Sequence, residues 1–72
     1  MTGFIYNVDS KDVVAILHSN EQSKIEHVAD SLNVDTETYA LTYTPAFGFS
    51  DGLNDTDAPE YDLDNGETPK SL

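Results

Sequence analysis

Cysteine, tryptophan and arginine are missing from this 72-residue chain, and only three lysines stand against 14 acids. Each absence excludes something. Without cysteine there is no disulfide and no thiolate metal site. That matters at this length, because a chain so short buries only about 60% of its unfolded surface and leans on disulfides, metals or oligomerisation. The two histidines, His18 and His27, sit nine apart, off any one helical face. Oligomerisation is the staple left open, and a homodimer is expected.

The shortage of cations excludes more. Lys11, Lys24 and Lys70 leave a net charge of −11. Nucleic acids and anionic membranes are bound by clustered cations that neutralise phosphate, so neither is expected as a direct ligand. A basic protein surface is, with attraction reaching about 8 Å at physiological salt and speeding encounter. No stretch approaches the ~18 apolar residues that span a membrane. The opening MTGFIYNVDS has no basic segment followed by an apolar run, as a signal peptide would. A cytoplasmic location is expected.

What is present begins with two β-rich runs. GFIYNV (Gly3 to Val8) and DVVAILH (Asp12 to His18) flank a turn in which Asp9 and Ser10 can bond local amides, which predicts a β-hairpin. The period then changes. Ile25, Val28, Ala29 and Leu32 recur at helical spacing, predicting a helix from about Asn20 to Leu32. Ser19 with Gln22 fits a capping box, Asn20 is an alternative cap, and Asn33 a left-handed stop. TYALTYT (Thr38 to Thr44) returns to period two, and Pro45 ends it. The fold class expected is α+β: a ββαβ domain over residues 1–53, with a three-stranded antiparallel sheet and one helix on a face.

From Asn54 the chain is polar, acidic and broken by Pro59 and Pro69, the composition of a disordered tail over 54–72. The acid is not confined there. Residues 1–50 carry a net −5 and residues 51–72 a net −6.

No catalytic or metal signature emerges. DAPEYDLDNGE is rich in oxygen ligands, yet placing Gly66 at position six of a calcium loop puts Tyr61 and Leu63 where carboxylates belong. His18 could pair with Asp9 or Asp12, but no serine sits in a nucleophile elbow. Paired carboxylates could do acid–base chemistry, though a fold of this size has little room for a closed pocket. No enzyme activity and no cofactor are expected.

Binding is the remaining chemistry. Glu26 and Asp30 stand one helical turn apart, with Asp35 and Glu37 just beyond the helix, and only Lys24 is near in sequence. Unpaired like charge costs stability, which argues that a small protein retaining it uses it. These four form a rigid partner-binding set, to which the tail adds Asp55, Asp57, Glu60, Asp62 and Asp64. Phe47 and Phe49 serve either as a core cover or as a hydrophobic contact or dimer seam. The run Val13 to Leu17 is apolar at every position, the pattern of a strand covered on both faces.

A short, cysteine-free, arginine-free and strongly acidic αβ chain resembles the small phage-encoded inhibitors of host defence, the anti-CRISPR and other DNA-mimic proteins. TDAPEYD (Thr56 to Asp62) is also similar to a segment of the phage uracil-DNA glycosylase inhibitor, whose remaining sequence does not match. The resemblance implies a non-enzymatic inhibitor, active in the host cytoplasm, whose acids occupy the nucleic-acid-binding site of a basic defence protein such as a CRISPR effector subunit. Two other readings fit the same composition: a small acidic dimerisation module, and a halophilic protein whose acids serve solvation, consistent with 9 Asp against 5 Glu.

Overall fold

The computed structural model describes residues 1–32, 34, 37–43, 52–54 and 57–72. Two strands open the chain, β1 (Thr2–Asn7) and β2 (Val13–His18), followed by helix α1 (Gln22–Ser31), β3 (Tyr39–Thr42) and β4 (Glu60–Asp62). The sheet runs in the order β3-β1-β2-β4. β1 pairs antiparallel with both β2 and β3, while β4 lies parallel to β2. The α+β class is as expected, but the sheet has four strands and is mixed, not three-stranded and antiparallel.

The correction comes from the C-terminal acids. Residues 60–62 do not trail as a tail. They alternate exposed Glu60, half-buried Tyr61 and exposed Asp62, so the strand turns one apolar ring inward and two carboxylates outward. Tyr61 stands opposite Leu17 and packs against the core together with Leu63. A 3-10 turn, Leu63–Asn65, follows and closes at Gly66, whose φ of 83° suits a residue without a side chain. The Asp62 amide donates to Glu67 Oε1 and the Glu67 amide to the Asp62 carbonyl, clasping this turn at 2.9 and 3.1 Å.

The hairpin forms as its sequence predicts, with different bonding. Asn7, not Asp9, organises the turn: its Oδ1 accepts from the Asp9 and Ser10 amides, both at 2.9 Å. Ser10 Oγ accepts from the Asp12 amide. Lys11 takes the left-handed conformation at φ 66°, a position that usually goes to glycine or asparagine. Its ammonium lies 5.9 Å from the centroid of the Tyr6 ring, a cation–π contact worth about 0.5–1 kcal/mol that offsets part of the backbone cost. Asn54 braces the turn from outside, its side-chain amide donating to the Ser10 carbonyl and Asp12 Oδ1.

The core sits between the sheet and α1. Alternation along β1 and β2 sends Ile5, Ala15 and Leu17 to meet Ile25 and Ala29 of the helix, with Val34 closing one end. Val28, Leu32, Tyr39 and Leu41 pack at its margin. The helical stripe read from the sequence is therefore the buried face. Its start differs. The helix begins at Gln22 with Glu21 as N-cap and no side-chain cap bond. Ser19 Oγ accepts instead from the Glu21 amide, two residues on, so the Ser19–Gln22 capping box does not form. Asn33 lies outside the described residues.

Half-buried Phe4, Tyr6, Val14 and Ile16 occupy the opposite face of β1 and β2. Val13 is buried at 5% exposure, beside a register irregularity where Tyr6 pairs with Val13 and skips Val14. Of the segment Phe47 to Leu53, which the sequence offers as cover for this face unless a second copy supplies it, Phe47 and Phe49 lie outside the described residues and Leu53 is buried. No described helix is long and apolar enough to cross a membrane.

Candidate functional site

The acids predicted to meet a partner fall into three places. Glu26 and Asp30 project from the exposed flank of α1. Glu60 and Asp62 stand on β4, and Asp64 lies in the turn after it. Glu37 and Asp57 are exposed in irregular segments. Asp35 and Asp55 lie outside the described residues. Among the described residues, these acids are thus carried by separate elements.

Asp64 is already occupied. Its Oδ1 accepts from Ser19 Oγ at 2.8 Å and from Lys24 Nζ at 3.2 Å, and its Oδ2 from the Asn20 amide at 2.7 Å. These three groups precede or open α1, so a carboxylate from 40 residues downstream does what a local cap does elsewhere. It satisfies donors ahead of the first turn and brings negative charge to the positive end of the helix dipole. It also neutralises Lys24, which stands unfavourably in that turn. The Asn20 amide, then the Ser19 hydroxyl, then Lys24 hold the Asp64 carboxyl below the ordinary aspartate range. The same contact, by hydrogen bond and charge, with Glu21 assisting, raises Lys24 above its ordinary value.

A group whose pKa falls on folding stabilises the fold above its unfolded value, and the contribution is lost as pH drops through the folded value. Asp64→Asn should therefore lower the melting temperature at pH 6, and the gap to the parent should close below the ordinary aspartate value of 3.8. Thermal melts between pH 7 and about pH 2 check this. Curves that stay parallel to the lowest pH would show that the Asp64 carboxylate charge is not what ties β4 to the helix.

His18 ties the same strand from the other side. Its Nε2 lies 2.8 Å from Glu60 Oε1, and its Nδ1 3.1 Å from Thr2 Oγ1. Glu60 remains largely open, with 64% of its side chain exposed, and Asp62 is exposed beside it.

Glu26 and Asp30 border a different feature. Between α1 and β3 runs an open groove of about 690 Å³, lined by Glu26, His27, Ala29, Asp30, Val34, Leu41 and Tyr43. Ala29, Val34, Leu41 and Tyr43 give it an apolar side, while Glu26, Asp30 and His27 make the rest of its lining polar. Glu26 Oε1 accepts one bond, from Gln22 Nε2 at 3.3 Å, and no lysine lines the groove. Asp30 stands in the last helical turn, which holds no basic residue. It faces both the negative end of the dipole and the like charge of Glu26 one turn back. Among the described residues, no cluster of three or more histidines and carboxylates is arranged to hold a metal.

Sequence reasoning found the two carboxylates through helical period and missed the apolar side. Leu41 and Tyr43 were legible as one face of a strand, but their place beside Ala29 and Val34 depends on how α1 lies across the sheet. It also missed Ser19, Asn20 and Lys24 as partners of Asp64. No protein-family model, no curated protein and no solved structure matches this chain.

Proposed function

We propose that this protein is a non-enzymatic acidic ligand that occupies the basic, nucleic-acid-binding surface of another protein. The observation that carries this reading is the placement of Glu26 and Asp30. They are exposed, held on a helix packed by Ile25 and Ala29, and set against the energetics of that helix. Of the two ion pairs that Lys24 makes, one goes to Glu21 and the other to Asp64. Fixed carboxylates lose less entropy on binding than mobile ones. Glu60 and Asp62, carried on a strand, belong with the rigid set as well.

Duplex DNA shows one charge per roughly 1.7 Å of axis, and a basic channel built for it is complementary to a surface of this kind. No chemistry is required of the ligand. The resemblance to DNA mimics nominates the partner class, a host defence protein that grips nucleic acid, and the mode, direct competition with DNA.

The test uses the immobilised full chain and a nucleic-acid-depleted cell extract. Proteins retained at low salt should be released by duplex DNA, and by salt along a steep gradient. The DNA-released fraction should then rebind a duplex DNA column. Retention that resists high salt and ignores duplex DNA would reject the reading.

A further inference from the structure

We propose that the groove between α1 and β3 is an arginine-binding site, which takes one guanidinium side chain from the partner's basic surface. The inference rests on the acidic-ligand reading and names the chemistry it recognises at one place. The groove has the size of a small-ligand site, about 690 Å³ against roughly 300–1,000 Å³ for such pockets. Its two halves differ in kind. Ala29 and Val34 are buried, and with Leu41 and Tyr43 they form its apolar side, while His27 joins the two carboxylates on the polar side. Glu26 and Asp30 stand about 5–6 Å apart at their β-carbons, as residues one turn apart do.

That combination selects among cations. A divalent ion wants six or more oxygens and no apolar wall. A lysine ammonium is compact and strongly hydrated, so an apolar side does little for its head. A guanidinium is planar and weakly hydrated, and its five donors can reach both carboxylates at once. Its flat face can lie on the Tyr43 ring and its three-carbon stem on Leu41. The chain supplies no such group itself: it has no arginine, Lys24 and Lys11 are engaged elsewhere, and Lys70 lines a different groove.

The test is an amide NMR titration of the full chain with three probes of matched stem: n-butylguanidinium, n-butylammonium and n-butanol. Butylguanidinium should saturably shift Glu26, Ala29, Asp30 and Val34. Butylammonium should bind several-fold more weakly, and butanol should leave these amides in place. Glu26→Gln with Asp30→Asn, isosteric and exposed, should weaken butylguanidinium about tenfold, as loss of charge-assisted hydrogen bonds implies. Glu60→Gln with Asp62→Asn should change nothing at the groove. Equal shifts from butanol, or shifts at β4 no smaller than at the groove, would overturn the assignment. If the groove binds no guanidinium while the salt- and DNA-sensitive capture holds, this inference alone fails. A groove that binds it while that capture fails would reject the wider reading instead.

Discussion

Gly3→Val should leave the protein largely unfolded at room temperature. Gly3 is buried in β1, with Ile25 of α1 close against its backbone. A β-carbon there would stand 2.7 Å from Ile25 Cγ2 and 3.0 Å from Leu41 Cδ1, inside any normal contact distance. Ile25 is fully buried and β-branched, so its χ1 is stiff and cannot swing the methyl away cheaply. Alanine at this site gains about 0.4–1 kcal/mol from a less flexible unfolded chain and loses about 1–3 kcal/mol to overpacking. The clash wins. Valine adds two more methyl groups against a total stability of about 4–11 kcal/mol for a chain of this length. Ile25→Leu moves the branch off the β-carbon, so combining it with Gly3→Ala should recover much of the loss. Denaturant unfolding of the single and double variants measures the coupling. A Gly3→Ala variant at least as stable as the parent would mean that helix and sheet do not meet as described.

Asp30→Lys should make the protein more stable and its partner binding much weaker. Three local terms favour the lysine in the free chain. It removes a like-charge pair with Glu26, creates a Glu-to-Lys pair in the favourable direction, and places a cation at the negative end of the helix dipole. Together these contribute roughly 1 kcal/mol. On a basic partner the sign reverses, because like-charge juxtaposition costs several kcal/mol, at least a hundredfold in affinity. A higher melting temperature with lost capture by DNA-displaceable proteins is therefore the expected pair of results. Unchanged capture would show that this carboxylate is not at the interface. Deleting residues 57–72 is not an equivalent control, since it removes β4 and the Asp64 bonds to α1 along with the charge.

The parts legible in the sequence were those whose signals are local. The β-rich runs Gly3 to Val8 and Asp12 to His18 announce two strands, and the residues around Asp9 and Ser10 carry turn chemistry between them. Ile25, Val28, Ala29 and Leu32 announce the helix that lies on them. Glu60 to Leu63 also alternates, but over too few residues to stand out among Asp, Gly and Pro. What makes it a strand is β2, which lies outside any local window. The same holds at Asp64. An aspartate before Asn65 and Gly66 reads as a turn residue, and it is one; its second role appears only when the Ser19 hydroxyl and Asn20 amide are brought to it. At the groove, period placed Glu26 and Asp30 on one flank, whereas the neighbouring Leu41 and Tyr43 are set by the crossing of helix over sheet.

The parallel seat of β4 beside β2 has a consequence for how the molecule is made. His18 and Glu60 are separated by 42 positions, against 16 for the Thr2–His18 pair of the hairpin. Loop closure grows costlier by about 0.6 kcal/mol per doubling of length, so the hairpin and helix are the early partners and β4 is the late one. Until residue 60 has been synthesised, β2 presents an open edge with Ile16 and Leu17 beside it, a template for any other extended chain. Nascent copies on neighbouring ribosomes would be the nearest candidates. Their mutual repulsion is already in place by then, since residues 1–50 alone carry −5. That charge keeps unfinished copies apart while the sheet waits for its last strand.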